Sequence, residues 1–416
     1  MRVLFLTDFY PPLELGGMEQ LCQEIVTHLA ARGHVTRVLT SRYGVTSGSR
    51  SEPNVTRTLY LQADVNYYRP LQFFLARHGQ ERANKRTLRR TIDDFVPDVI
   101  FVWGMWNLSL ALAYWAEQWL PGKVAYYIAS HWLVEPDVHE AYWRLPARRG
   151  IVEAVKHTVA PLVLRQLQQE QKAYTLRMQH VACVSQHVRS KLAAAGALPH
   201  DAHVIYNGID PLPFVRAASG RTPAGNALRL LYVGGLGEHK GVHTAIEGLV
   251  HLREQESIDD LSLAIVGSGH PSYETQLHNM VTLLNLQDVV QFVGRVPREQ
   301  IPDMLANADV FLFTSVGEEA IARTVMEAMA SGLAVIATPV GGQKEMLIDD
   351  ENALVFVPGD ALGLAARILQ LKEQPDRLRQ IADAGRKSVL ERFTLDRMID
   401  EVEHFLNSVV AASKTQ

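Results

Sequence analysis

Residues 308–342 read ADVFLFTSVGEEAIARTVMEAMASGLAVIATPVGG. The first eight are an apolar run of strand length ending in small polar residues, which marks a buried strand. A turn follows at 316–318. From about Ala320 the chain is rich in helix formers until Gly332, which is placed to cap the helix before a second apolar run at 334–340. Strand, helix and strand in that order make a parallel βαβ unit, because parallel strands need a crossover. Two carboxylates eight positions apart, Glu319 and Glu327, stand in this unit. With Glu319 at the helix entrance, Glu327 is expected roughly 12 Å further along the axis at ~1.5 Å per residue, a span that suits a two-ended ligand.

The same theme of strand followed by glycine recurs upstream. Residues 228–233 are a strand, 234–241 (GGLGEHKG) a glycine-rich loop with one lysine, and 242–252 a helix. Glycines expose backbone N–H groups, and Lys240 beside a helix N-terminus is suited to neutralise phosphate. The loop is neither a Walker loop nor a GxGxxG fingerprint. Strands at 261–266 and 289–293 run into Gly267-Ser268-Gly269 and Gly294-Arg295, and Gly341-Gly342 opens another helix.

In the first half, a strand at 3–6 leads through 11–17 (PPLELGG) to a helix near Met18. Gly16 and Gly17 fit either an anion site or a tight strand-to-helix turn. Strands at 98–103 and 123–129 follow, and the second ends at Ser130-His131-Trp132, where ligands gather in open α/β sheets. His131 is a candidate site residue; a packed structural histidine beside Trp132 is the alternative. Further strands are read at 181–184 and 203–206, and linker composition at 216–227 (RAASGRTPAGNA) marks a boundary. The expected domains are 1–214, a linker 215–227, 228–392, and an amphipathic helix in 393–416 that crosses back to the first domain.

At 416 residues and 46.4 kDa the chain exceeds one ordinary core, in keeping with two domains. A hydrophobic content of 47% with 21% charged residues describes a globular protein, and a net charge of −4 argues against a general nucleic-acid binder. Cys22 and Cys183 match no metal spacing and suggest a reducing compartment. The short apolar start is read as a strand rather than a signal peptide, and no run approaches the ~20 apolar residues of a membrane span. A cytoplasmic protein is expected. Residues 66–90 carry seven Arg or Lys against one acid, and Arg82, Lys85, Arg86, Arg89 and Arg90 share a helical face. That face suits either solvent or peripheral contact with anionic lipid on the inner side of a membrane.

Taken together, YPPLELGGMEQ (10–20), RGH (32–34), VACVSQHVRSKL (181–192), VIYNGID (204–210), VGGLGEHKG (233–241), GEEAIARTVMEAMASG (317–332) with its E-x7-E spacing, and TPVGGQKE (338–345) resemble a retaining glycosyltransferase of family four, also called group 1. Nearly the whole chain takes part in the resemblance. It implies the α/β architecture called GT-B, two Rossmann-like domains with parallel sheets facing a cleft, and a hexosyl-type transferase using a nucleotide-diphosphate sugar. Glu319 then resembles the glutamate that contacts the donor sugar, Glu327 the one that accepts from the ribose, and Lys240 the lysine that neutralises the diphosphate. Gly16 and Gly17 resemble the loop that leaves room for diphosphate and sugar. Arg295, after Gly294, lies where the main chain meets the base, and amides around Ala322, Arg323 and Thr324 complete the phosphate site. His131 is carried over as an offset counterpart of a His-Asp pair. The acceptor would be a glycan, a lipid or a small molecule.

Three departures stand out. Gly235 takes the place of an arginine that shares the diphosphate charge, and Arg323 is a candidate substitute; the competing role is an Arg323–Glu327 pair at i, i+4. Glu319-Ala320-Ile321-Ala322 departs from the usual proline, phenylalanine and glycine. Ala129-Ser130 aligns with the expected His-Asp pair. No Asp-x-Asp occurs in the chain, and the resemblance implies neither metal nor cofactor. Two other readings stay open: a nucleotide-sugar epimerase of the same architecture, and a catalytically degenerate partner subunit or glycan-binding module.

Overall fold

The computed structural model describes residues 1–13, 16–45, 52–146, 151–199, 201–220, 227–255 and 260–414. Two compact units make up the chain. One comprises Met1–Val184, Val188–Ile205 and Ile399–Gln416, the other Ser185–His187 and Tyr206–Met398.

The first unit holds strands β1 Arg2–Leu6, β2 Val35–Ser41, β3 Val55–Leu59, β4 Val99–Val102, β5 Val124–Ile128, β6 His180–Cys183 and β7 His203–Val204. They form one parallel sheet in the order β3-β2-β1-β4-β5-β6-β7. All of β4 and β5, and β1 from Val3 onward, are buried. Burial on both faces is what continuous apolar runs such as VIFV and VAYYI dictate in a parallel sheet. The C-terminal helix Leu395–Ala412 joins this unit from Ile399 onward. There Phe405 meets Phe101 and His203, and Glu403 accepts from Arg32 and His34.

The second unit contains β8 Leu228–Val233, β9 Leu261–Val266, β10 Val290–Gly294, β11 Val310–Phe313, β12 Ala334–Ala337 and β13 Leu354–Val355. Their order, β10-β9-β8-β11-β12-β13, is again all parallel. Alternate residues feed two separate cores. Leu230, Tyr232, Leu312 and Ile336 pack on one face, Leu231, Phe311, Phe313 and Val335 on the other. The strand period of two assigns these side chains to their layers. Both sheets carry the doubly wound Rossmann-like order, in which the connections reverse direction beside the first strand and open a crevice at the carboxyl ends.

The division between units falls after Ile205, upstream of the expected linker at 215–227. Residues Leu212–Ala218 are helical, Phe214 enters the core of the second unit, and 221–226 lie outside the described residues. The Asn207–Asp210 turn is pinned there too. Ile209 N–H donates to Phe393 O at 3.0 Å and Leu395 N–H to Ile209 O at 2.7 Å, while a Cβ on Gly208 would meet Thr394 O at 2.3 Å.

The basic stretch contains the helix Arg77–Phe95. Lys85 Nζ sits 3.1 Å from the Trp115 ring centre and Arg89 lies over Trp119 at 5.3 Å, so two of the five cations on the shared face are spread on the helix Leu110–Trp119. Arg82, Arg86 and Arg90 stay exposed. Among the described residues, no helix is long and apolar enough to cross a membrane.

Candidate active site

In the second unit the switch point lies between β8 and β11. Just past β8 comes a short 3-10 helix, Glu238–Lys240, and past β11 the segment 314–322. Lys240 Nζ donates to Glu319 Oε1 at 2.5 Å, and Ser315 Oγ donates to the same oxygen at 3.0 Å. Backbone contacts lock the two loops: Val316 and Gly317 N–H both donate to His239 O at 2.9 Å, and Thr314 Oγ1 donates to Lys240 O at 3.0 Å. Gly241, at φ +63°, allows this approach, since a Cβ there would lie 2.1 Å from Thr314 O. The ion pair is partly exposed on both sides, so it presents a cation and a carboxylate to the crevice rather than burying them.

Glycines 341 and 342 serve a different purpose from the expected helix opening. They begin a 3-10 turn, Gly341–Glu345, that presses on the backbone of Glu319 and Ala320. Gly342 N–H donates to Glu319 O at 2.8 Å, and Cβ atoms on the pair would fall about 2 Å from Glu319 O and Ala320 O, the distances being 2.0 and 1.8 Å. Next to them the fully buried Gln343 accepts from Ala322 N–H through Oε1 at 2.8 Å. That bond removes Ala322 from the amides expected to face phosphate.

The helix itself runs Arg323–Ala330, three residues shorter at its start than expected. Glu319 therefore precedes it in the loop, and the 12 Å span reckoned along a helix axis does not apply between Glu319 and Arg323. Glu327 is buried, and its carboxylate lies in the fork of Arg298. Nη1 donates at 2.8 Å to one oxygen and Nη2 donates to the other. Arg298 also lies over the Phe214 ring at 5.7 Å. Arg298, three residues after Arg295, carries no sequence signal that marks it as the partner of Glu327. Arg295 is exposed past β10, Arg323 is buried at the head of the helix, and Thr324 follows it. Gly235 is exposed; a Cβ there would meet nothing within 4 Å, so packing does not demand glycine. Tyr232, whose hydroxyl burial holds in the protonated form, donates to the Gly235 carbonyl at 2.9 Å.

The first unit has its own crevice between β1 and β4. Gly16 and Gly17 open the helix Gly17–Ala31, and Gly16 N–H donates to Glu19 Oε2 at 3.0 Å. Glu14 and Leu15 lie outside the described residues. A cavity of about 380 Å³ is lined by residues that include Asp8, Gly16, Glu19, Trp103, Trp106 and Trp132. His131 is buried beside it, with Nδ1 at 3.7 Å from Glu135 Oε1, but Ala129, Ser130 and Trp132 form the wall there. Sequence reasoning missed Asp8, Trp103 and Trp106. Their signal was position, at the carboxyl ends of the two strands that flank the switch point.

Two family models match this chain, "Glycosyl transferases group 1" over residues 220–388 and "Glycosyltransferase Family 4" over 15–211. Glycogen synthase of Mycobacterium tuberculosis is 25% identical over 407 residues, 94% of this chain and 91% of that protein. AmsK of Erwinia amylovora, an amylovoran biosynthesis glycosyltransferase, is 32% identical over 208 residues, covering 49% of this chain and 50% of its own. Among solved structures, a glycosyltransferase of Rickettsia africae superposes with a TM-score of 0.72 at 19% identity, covering 98% of each chain. Anabaena HepE in complex with UDP gives 0.68 at 19% identity, covering 98% of this chain and 100% of its own. The doubly wound pair of parallel sheets is thus the GT-B fold, and the two models between them take in most of the sequence. The chain belongs to the group 1, family 4 glycosyltransferases.

Proposed function

We propose that the enzyme moves a hexosyl group from a nucleotide-diphosphate sugar to a glycan, lipid or small-molecule acceptor, with retention and without a metal. The observation that carries this reading is the Lys240–Glu319 pair at the β8/β11 switch point, a cation and a hydroxyl-accepting carboxylate held side by side. When the bond from the anomeric carbon to the diphosphate oxygen breaks, negative charge develops on the leaving group, and a fixed ammonium stabilises it. Glu319 accepts hydroxyls of the donor sugar, and Glu327, steadied by Arg298, accepts those of the ribose. The new bond forms to an acceptor oxygen, whose proton passes to the departing phosphate. Support for a nucleotide donor comes from HepE, whose structures hold UDP, UDP with glucose, and UDP-glucose.

In this reading the first unit takes the acceptor, and the protein works in the cytoplasm. The exposed Arg82, Arg86 and Arg90, with exposed Leu71, Phe74 and Leu75 on the same stretch of chain, support peripheral contact with an anionic membrane. A thermal-shift panel of UDP-, GDP- and ADP-sugars, followed by detection of the transferred sugar on an acceptor, tests the function. Stabilisation by none of the donors sinks it in favour of a degenerate partner subunit. Interconversion of free nucleotide sugars without transfer points to an epimerase.

A further inference from the structure

Asp8 is a buried carboxylate with an unusual environment. It follows β1, and its side chain enters the cavity between β1 and β4. Phe9 N–H donates to Oδ1 at 3.0 Å and Asn107 N–H to Oδ2 at 3.2 Å. Among the described residues, no cation forms an ion pair with it. Gly104 makes room, because a Cβ there would lie 2.5 Å from Asp8 Oδ1. Burial pushes the carboxyl upward against the pull of the backbone amides. The backbone at Trp106 and at Asp8 itself adds to that pull, so among the described residues the groups that donate to this carboxyl are main chain and no side chain shares it. At the cavity wall its oxygens are still acceptors within reach of a donor that a ligand brings in.

The remaining walls say what that donor is attached to. Phe9, Trp103, Trp106 and Trp132 line the cavity, and Trp106 is half-exposed at 49%. Phe9 and Trp106 lie at a tilt with centroids 6.4 Å apart, and Trp103 is stacked on Tyr127 at 4.6 Å, so the aromatic faces are braced from behind. The second carboxylate in the wall, Glu19, is engaged by Gly16 N–H. Among the described residues of the wall there are two carboxylates and no Lys or Arg, a balance that disfavours an anionic ligand. A volume of about 380 Å³ is at the small end of ligand pockets, room for one or two small rings.

We infer that this cavity is a subsite for a neutral pyranoside, whose C–H face lies on Trp106 and whose hydroxyl donates to Asp8. The inference rests on the reading that the first unit takes the acceptor, and it narrows that acceptor to a saccharide. Asp8 would set specificity by accepting a ring hydroxyl, and an anionic small molecule would be refused.

Three of the six tryptophans line the cavity, so intrinsic fluorescence reports its filling without turnover. The full chain should be titrated with methyl α-D-glucopyranoside, methyl α-D-mannopyranoside and methyl α-D-galactopyranoside, and separately with malate, inositol phosphate and choline. A saturable spectral change with at least one pyranoside and none with the two anions is expected. Trp106→Ala, at a half-exposed position, should weaken that pyranoside at least tenfold, and so should Asp8→Asn, while UDP titrations stay at wild-type affinity. Response to malate, inositol phosphate or choline but to no pyranoside overturns the proposal, and so does unchanged pyranoside affinity in Trp106→Ala. Failure of the donor reading would show separately, as absence of nucleotide-sugar binding in the wild-type chain.

Discussion

Arg298 grips both carboxylate oxygens of Glu327 across 29 residues of sequence, joining the 3-10 turn after β10 to the helix Arg323–Ala330. The glutamate side chain is 2% exposed and the arginine 35%. The carboxylate therefore depends on this one fork for charge compensation more than the arginine depends on the carboxylate. Planar bidentate geometry is specific to guanidinium, so lysine is not an equivalent here.

Arg298→Ala should accordingly destabilise the protein by about 3 kcal/mol, because it strands a buried carboxylate. Adding Glu327→Gln should return much of that loss, since the two residues share one interaction. Denaturant unfolding of both single variants and the double variant measures it. Additive losses would mean that the pair is not coupled.

Lys240→Ala removes the partly exposed ammonium beside Glu319 while leaving Ser315 on the same oxygen. Turnover should fall more than tenfold, a loss of at least ~1.4 kcal/mol of transition-state stabilisation, with the melting temperature close to that of the wild type. Single-turnover assays with a saturating donor are the check. A wild-type rate would remove Lys240 from the chemistry.

Gly235→Arg should be accepted by the fold, because the space beyond the missing Cβ is open. If a shared diphosphate charge is what the position lacks, the variant should bind UDP more tightly while its affinity for uridine is unchanged. Arg323→Ala should do the reverse, weakening the diphosphate more than the nucleoside. Calorimetry on the two ligands separates these effects; equal losses for both in Arg323→Ala would assign that residue to packing.

His139 shows how burial shapes the pH response. Its ring accepts or donates at Nδ1 with the Tyr68 hydroxyl at 2.8 Å and packs against Phe73, and burial, helped by Arg77, lowers its pKa to about 3. Between an unfolded value near 6.5 and that folded value, the unfolded chain binds a proton that the folded chain refuses. Stability is thus full above pH 6.5 and falls as the pH drops, by up to ~1.4 kcal/mol per pH unit from this group. His139→Gln should flatten the dependence of unfolding free energy on pH between 6.5 and 4. An unaltered slope would assign the acid sensitivity to other groups.

Much of the architecture was legible because the core strands are apolar on both faces. VIFV, VAYYI and VFLF announce buried parallel strands by composition alone, and the glycines after β8, β9 and β10 mark where the carboxyl ends turn. β3, with the sequence VTRTL, was not legible, since an edge strand is half-exposed and its polar residues break the apolar run. The start of the helix at Arg323 was misjudged for another reason. Ala320, Ile321 and Ala322 favour helix by propensity, but contacts from Gly341, Gly342 and Gln343 hold their backbone in a loop.

By itself the sequence determined two series of buried strands and helices with glycine-rich turns, because strand periodicity and glycine placement are local properties, while the two-domain architecture and the donor roles of Lys240, Glu319 and Glu327 were implied by its resemblance to a family. Only the tertiary structure decided which partners those groups have. It put Lys240 on Glu319, Arg298 on Glu327, and Asp8 against a tryptophan-lined cavity. Each of these pairings joins residues that different strands deliver to one sheet edge, and the order of strands in a sheet is not written in any short stretch of chain.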